Sequence, residues 1–183
     1  MVQTKFEADL QMEDDPAISP VSFVEMKASV GSLLFLWSSI EREITKRIEQ
    51  LDDGKSRIAP HTLAQKIARW ESLQAVVCDE RPEHRELLTE VRARLVMALE
   101  LRNRITHGLV GITADPFGNR GDAHLETELN GEKRQHAHSD LEHVMRILSH
   151  MVSAIGALSD AAKQKDPRKA ENAYVGIRLN HLP

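Results

Sequence analysis

One apolar pattern constrains the fold of this chain more than any other feature of its sequence. From residue 23 to residue 51 an apolar side chain recurs every seven residues, with further apolar residues between these positions. This spacing puts them on one face of an amphipathic helix, whereas a strand would alternate every second residue. Ser22 and Glu25 match a capping box at its start. The pattern predicts one long helix that ends near DDG. Its repeated positions are Phe23, Val30, Trp37, Ile44 and Leu51.

Three further segments carry helical periodicity and helix start signals. A second helix is expected to begin at Thr62 and to continue to Cys78, and a third is expected to run from Pro82 to His107. A fourth is expected to begin at Ser139. Thr62 and Ser139 each stand three residues before a glutamine or a glutamate, as in a capping box, and proline suits the first turn of a helix. The sequence therefore predicts four helices.

A different pattern separates the third helix from the fourth. The stretch HLETELNGEKRQHAH carries Asn130-Gly131 near its centre, which is the strongest short-range signal for a hairpin turn. We expect a small β-hairpin over residues 122–138. The predicted fold class is all-α, a four-helix bundle with this hairpin inserted between helices three and four.

Length and composition are consistent with one globular domain. The chain has 183 residues, and aromatic residues make up only 4% of it, which favours helix over sheet. Residues 1–20 are acidic and show no period, so we expect a flexible lead there. We expect the helical bundle over residues 21–165. Residues 166–183 are expected to form a C-terminal tail that either packs on the bundle or stays mobile.

Charge and cysteine content limit the classes of function. The formal net charge of −4 gives no overall positive field, so contact with phosphate needs a local basic patch. A single cysteine, Cys78, excludes an intramolecular disulfide and a thiolate zinc site. The first residues lack the order of a signal peptide, and no apolar run approaches the roughly 20 residues of a membrane helix. We expect a soluble cytoplasmic protein with no membrane contact.

Two charged residues fall on predicted apolar faces. Arg102 lies near the centre of the arc that Leu95 and Leu99 occupy on the third helix, and Glu41 lies on the apolar arc of the first. A guanidinium cannot lose its charge when buried, so it needs a carboxylate, a phosphate or water. Two interpretations remain open. In the first interpretation, Glu41 and Arg102 form an ion pair inside the bundle. In the second, Arg102 lines a cleft.

A histidine near the end of the same helix indicates what reaction a cleft beside Arg102 could catalyse. His107 lies about 140° round an ideal helix from Arg102. We expect Gly108 to end the helix and the backbone to unwind at Thr106–His107, and the arginine side chain is also long enough to reach back. An imidazole exchanges protons near neutral pH, and a guanidinium stabilises a charged phosphorus centre. Together they fit phosphodiester transesterification.

The octapeptide LRNRITHG resembles the signature of the HEPN superfamily, an arginine and a histidine separated by about four to six residues. A polar residue often follows the arginine in that family, as Asn103 does here, and FLWSSIEREI with Glu41 is similar to its first core helix. The resemblance implies a metal-independent endoribonuclease with catalytic Arg102 and His107, supported by Asn103. It implies homodimers, an RNA substrate, no cofactor and a 2′,3′-cyclic phosphate product.

The resemblance also implies a biological setting. Many prokaryotic members are toxins of toxin–antitoxin systems or phage-defence effectors, often beside a minimal nucleotidyltransferase. This sequence shows no motif of such a transferase, so the antitoxin would be a separate polypeptide. Some members are inactive, and the alternative is therefore a non-catalytic helical module for dimerisation or interaction. Interleaved aromatic residues that could stack bases are lacking, and we expect no DNA sequence recognition.

The histidines of the hairpin are a candidate metal site that the predicted register argues against. If Asn130-Gly131 is the turn, Leu125 faces His136 and His124 lies opposite Ala137. His136 and His124 then lie on different faces of the hairpin, so three ligands do not converge. We expect surface or hydrogen-bonded histidines and no metal.

Basic residues on the third helix and the hairpin have two open interpretations. Arg104 belongs to the helix, and Lys133 and Arg134 belong to the hairpin. In the first interpretation, these residues form a solvated surface with glutamate partners. In the second, they bind the RNA backbone.

Overall fold

Six helices and three strands make up the part of the chain that the computed structural model describes, residues 21–52, 60–113 and 123–182. The predominantly helical class is confirmed, and the expected flexible lead over residues 1–20 lies outside the described residues. The helices are α1 (Phe23–Asp52), α2 (Leu63–Ser72), α3 (Ala75–Glu80), α4 (Pro82–Gly108), α5 (His138–Ala162) and α6 (Pro167–His181). The strands are β1 (Leu109–Thr113), β2 (His124–Leu129) and β3 (Glu132–Ala137).

Two predicted capping boxes are confirmed. The backbone N–H of Ser22 donates to the Glu25 carboxylate at 2.8 Å, and the Glu25 N–H donates to Ser22 Oγ at 3.2 Å. At the start of α2 the Thr62 N–H donates to Gln65 Oε1 at 3.1 Å, and the Gln65 N–H donates to Thr62 Oγ1 at 3.2 Å. Both boxes satisfy backbone donors that a helix start leaves unpaired.

The core lies between α1, α4 and α5. The long helix α1 packs mainly against α5, and α4 contacts α2, α3, α5 and α6. One face of α1 is buried against the other helices, as an amphipathic helix requires. The repeated positions are buried unequally, because Trp37 is 2% exposed whereas Phe23 is 45% exposed. The fully buried side chains of α1 are Met26, Leu33, Ile40 and Ile44.

Helix α1 is also the one described helix that is long and apolar enough, by length and composition alone, to cross a membrane. The core helices of soluble proteins pass the same test, and one face of α1 packs against α5. This finding is compatible with a soluble protein.

The expected second helix is divided into two. Helix α2 ends at Ser72 and α3 begins at Ala75. Between them Gln74 is fully buried, and its side chain is held in place by two contacts. Its amide lies 3.4 Å from the Trp70 carbonyl oxygen, and its Oε1 lies 3.0 Å from Nε2 of His84. The expectation of one continuous helix was therefore wrong, and at the break the buried amide has the partners that a buried polar side chain needs.

The start of the last bundle helix also differs from the expectation. Helix α5 begins at His138 rather than Ser139. The carboxylate of Asp140 accepts the Ala137 N–H at 2.9 Å. Glu142, the predicted capping partner, lies one turn after His138 and close to the His138 ring.

The C-terminal tail was expected either to pack on the bundle or to stay mobile. It contains helix α6, which packs on the bundle. The Asp166 carboxylate accepts the Arg168 N–H at 3.0 Å at the start of α6. One face of α6 then buries Ala170, Tyr174 and Ile177 against the bundle. The periodicity of these three residues is helical, and proline at the first position of α6 suits a helix start.

The predicted hairpin and its register are confirmed. Strands β2 and β3 pair in antiparallel fashion, with Leu125 opposite His136. Asn130 and Gly131 form the turn with φ values of 56° and 78°, in the left-handed region that these residue types favour. The sequence analysis missed the third strand. β1 follows α4 directly and pairs with β2, so the sheet has the order β1-β2-β3.

Helix α4 ends at Gly108, as expected, but Gly108 is its last helical residue and not a left-handed cap. It belongs to α4, and Leu109 continues as extended backbone with ψ of 117°. Among the described residues, positive φ occurs only at Asn130 and Gly131. A Cβ at Gly108 would lie 2.6 Å from the Glu128 carbonyl oxygen. Glycine is therefore required there because α4 and β2 approach too closely for a side chain.

A Gly108→Ala variant is expected to lose about 1–3 kcal/mol of unfolding free energy, because the added methyl group overlaps backbone atoms. Urea denaturation measures this loss. The matched control is Gly31→Ala in α1, where a Cβ meets no atom within 4 Å. The control is expected to gain up to about 1 kcal/mol from helix propensity. A Gly108→Ala variant as stable as this control would contradict the close approach.

Candidate active-site cleft

One open cleft of about 530 Å³ brings together four of the residues singled out in the sequence. Arg102, Asn103 and His107 come from the last two turns of α4, and Glu41 comes from α1. The start of α2 and Leu129 at the end of β2 form the remaining walls. The predicted site residues thus share one surface.

The side chains of α4 reach the cleft without any unwinding of the helix. α4 stays helical through Gly108, so the expected unwinding at Thr106–His107 was wrong. Asn103 and His107 are four residues apart and therefore neighbours on one face of the helix. Arg102 joins them through its length, because its Nη1 donates to Asn103 Oδ1 at 3.0 Å.

The charge of Arg102 is not neutralised by a carboxylate within the described ranges of the chain. The side chain is half-buried, and Asn103, its hydrogen-bond partner, is neutral. A guanidinium carries several N–H donors in a planar fork that matches a carboxylate or a phosphate. A half-buried arginine in this state favours an anion in the cleft.

Glu41 has a different partner from the one considered in the sequence analysis. Its carboxylate accepts a hydrogen bond from Lys66 Nζ at 2.7 Å. The ion pair of Glu41 with Arg102 is absent from the described part of the structure, so that interpretation was wrong for this pair. Because Lys66 balances the charge of Glu41, the carboxylate does not oppose an anion bound beside Arg102.

His61 also lines the cleft, and the sequence analysis did not identify it. It stands one residue before the N-cap Thr62, and its backbone N–H donates to Gln65 Oε1 at 3.0 Å. Gln65 therefore fixes the backbone of His61 as well as that of Thr62. The only sequence signal for His61 is its place beside a capping box, and that signal carries no information about α4.

Two further arginines, Arg104 of α4 and Arg134 of the hairpin, have carboxylate partners. Arg104 is 5% exposed, and its guanidinium donates to the Glu132 carboxylate. Arg134 bonds Glu132 at 2.7 Å and Glu100 at 2.8 Å. Hydrogen bonds from Arg134 and Arg104 lower the pKa of the Glu132 carboxyl. These charges attach the hairpin to α4, which favours the interpretation with glutamate partners over RNA binding.

The hairpin histidine His136 is engaged within the fold. Its Nε2 lies 3.0 Å from Thr127 Oγ1, and burial lowers the pKa of its imidazole. Residues 21–52, 60–113 and 123–182 contain no group of three or more histidine, cysteine, aspartate or glutamate side chains placed to hold a metal ion.

A serine, a histidine and a glutamate also come together where α1 meets α5. Ser29 Oγ lies 2.8 Å from His138 Nε2, but His138 Nδ1 lies 3.8 Å from the Glu142 carboxylate. The second distance is too long for a hydrogen bond, and Ser29 is 9% exposed on the packed face of α1. The group therefore links the two helices. Its signal in the sequence is a serine on the apolar arc of the first helix.

Comparison of the chain with protein-family models, with curated proteins and with solved structures gave no match.

Proposed function

We propose that this chain is an endoribonuclease of the HEPN type that cleaves RNA without a metal ion. One observation carries the proposal, namely that an arginine without a carboxylate partner shares an open cleft with an exposed histidine. The arginine is Arg102 and the histidine is His107. The spacing of these two residues is that of the family signature that LRNRITHG resembles.

The reaction that fits this pair is attack by a ribose 2′-hydroxyl on the adjacent phosphorus. A bond forms between the 2′-oxygen and phosphorus, and the bond from phosphorus to the 5′-oxygen breaks. The products are a 2′,3′-cyclic phosphate and a 5′-hydroxyl. His107 removes the proton from the 2′-oxygen or delivers one to the 5′-oxygen. Arg102 stabilises the extra negative charge on the phosphoryl oxygens.

Asn103 and the pair of Glu41 with Lys66 support this chemistry. Asn103 accepts a hydrogen bond from Arg102, which holds the guanidinium toward the cleft and leaves its other N–H groups for the phosphate. Lys66 holds Glu41 at the edge of the cleft. Holding the reacting groups in place before the substrate arrives lowers the entropic part of the barrier.

The proposal extends to a homodimer in which two copies of the motif face one shared cleft. His107 is exposed, and the cleft is open, so a second copy has access to both. The resemblance adds the biological setting, a cytoplasmic toxin or phage-defence effector with a separate nucleotidyltransferase-like antitoxin.

The test is cleavage of a short RNA in the presence of a chelator. We expect 2′,3′-cyclic phosphate and 5′-hydroxyl ends, undiminished by the chelator, and no cleavage of the same oligonucleotide with a 2′-deoxy sugar at the scissile position. His107→Ala protein purified in parallel shows whether a contaminating nuclease is responsible. No cleavage of any RNA tested, or equal cleavage by both proteins, would refute the proposal.

A second candidate function is a non-catalytic module that dimerises or binds a partner through α1. The observation in its favour is a set of large apolar side chains that α1 leaves exposed, among them Val24 at 73% and Phe35 at 69%. Exposed apolar surface of this kind often marks an interaction site. The cleavage assay and light scattering together distinguish the two functions. The non-catalytic module associates in solution but cleaves no RNA, and Phe35→Ser disrupts its association.

A further inference from the structure

The cleft holds two imidazoles that come from different elements. His107 lies near the end of α4, and His61 lies just before α2. Both side chains are exposed, and in the described part of the chain neither ring takes part in a hydrogen bond or an ion pair. Each is therefore available to a ligand in the cleft, while the capping bond to Gln65 keeps the backbone of His61 in place.

The chemistry of the proposed reaction requires two proton transfers at different places. One proton leaves the 2′-oxygen and another reaches the 5′-oxygen, and these oxygens lie on opposite sides of phosphorus in an in-line displacement. A single imidazole on one side of the cleft serves one of them. A second group that can gain or lose a proton near neutral pH is needed for the other.

The cleft lining supplies few candidates for this second group. Besides His107, the side chains in it that titrate below the range of arginine are Glu41 and His61. Glu41 is held in an ion pair by Lys66, and the guanidinium of Arg102 remains protonated. Among the described residues of the cleft, His61 is thus the unengaged titratable group that remains besides His107.

We propose that His61 is the second proton-transfer residue of this cleft and works with His107 on one phosphodiester. This inference rests on the proposed ribonuclease function. One imidazole takes the proton from the 2′-oxygen as the bond to phosphorus forms. The other, protonated, gives its proton to the 5′-oxygen as that bond breaks. One protomer then supplies both proton-transfer groups for a phosphodiester, so the His107 of the second copy in the proposed dimer is not needed as the second group.

The experiment compares two substrates that differ in one atom. A chimeric oligonucleotide with a single ribonucleotide carries either the normal 5′-oxygen or a 5′-sulfur at the scissile bond. A sulfur leaving group departs without protonation, so it restores cleavage to a variant that lacks the general acid. The His61→Ala and His107→Ala variants are assayed with both substrates at saturating concentration. His143→Ala, exposed on α5 and away from the cleft, is the matched control.

We expect His61→Ala to cleave the oxygen substrate about 100-fold or more slowly than the unsubstituted protein, at unchanged thermal stability. The sulfur substrate is expected to restore one of the two histidine variants and not the other. Restoration of His61→Ala makes His61 the acid. Restoration of His107→Ala makes His107 the acid and His61 the base. Full cleavage by His61→Ala while His107→Ala is inactive overturns this inference and leaves the ribonuclease proposal standing. A rise in KM alone, or no restoration of either variant, also overturns it. Inactivity of the unsubstituted protein on all substrates overturns both.

Discussion

Replacement of His107 by alanine is expected to slow RNA cleavage by about 10²–10⁴-fold, the usual contribution of a positioned proton-transfer group. The side chain is exposed at the end of α4, and its removal leaves no buried cavity. The fold should therefore be unaffected, and the loss should fall on the rate at saturating RNA. Single-turnover cleavage of a labelled oligonucleotide measures the rate, and circular dichroism melting verifies the fold.

Controls on the same helix separate this chemistry from a general effect of charge. Arg102→Ala is expected to lose about 10²–10³-fold, as when one stabilising donor to a transition state is removed. Arg92→Ala also removes a positive charge from α4, but Arg92 is paired with Glu71 and does not line the cleft, so its rate should be unchanged. Equal losses in Arg92→Ala and Arg102→Ala would mean that the charge of α4 matters and the cleft does not.

Non-additivity gives the same prediction a second check. Arg102 and His107 act on the same phosphodiester in this proposal, so the double variant should be little slower than the slower single variant. Losses that multiply would show that the two residues contribute independently and do not act as a unit.

Local rules account for what the sequence predicted correctly. A capping box joins residues three apart, and a two-residue turn fixes the register of the strands on either side, so Ser22 with Glu25 and Leu125 with His136 could be paired from the sequence. The apolar spacing likewise predicted helix α1 and part of its buried face, although Phe23 at the first repeated position is exposed. Each of these inferences needs only neighbouring residues and the geometry of one element.

Contacts between distant elements account for what the sequence did not predict. Gln74 lies at the break between α2 and α3, where its buried side chain contacts His84, ten residues further on. Gly108 is needed because the backbone of Glu128 passes close to it. Both interactions depend on how whole elements dock, which periodicity within one element does not encode.

The candidate site shows the same division. The spacing of Arg102 and His107 could be seen within the sequence of α4. The position of Glu41 beside the apolar residues of α1 could likewise be seen within the sequence of α1. The partner of Glu41 was not visible, because Lys66 comes from α2. His61 was missed for the same reason. The motif could be found in the sequence, while the other walls of its cleft appear only when α1, α2 and α4 are assembled.

Acidification from pH 7 to pH 4 is expected to remove about 3 kcal/mol of unfolding free energy through His84 alone. The side chain is fully buried beside Tyr174, and burial, aided by the charge of Arg81, lowers its pKa from 6.5 to about 4. The folded pKa lies below the unfolded one, so the unfolded chain binds a proton first. The stability is thus present above pH 6.5 and is lost as the pH falls toward 4.

Urea unfolding at several pH values between 7 and 4 measures this loss, and His84→Phe tests its source. Phenylalanine fills the space beside Tyr174 but cannot bond Gln74, so the variant should be less stable at pH 7. Because phenylalanine does not titrate, the unfolding free energy of the variant should depend less on pH. The difference in slope carries the prediction, because acidic groups elsewhere contribute equally to both proteins. His136, whose pKa burial also lowers, leaves a smaller dependence in the variant. His143→Ala, at an exposed position, should keep the full dependence. Parallel stability curves for His84→Phe and the unsubstituted protein would show that His84 is not held neutral by the fold.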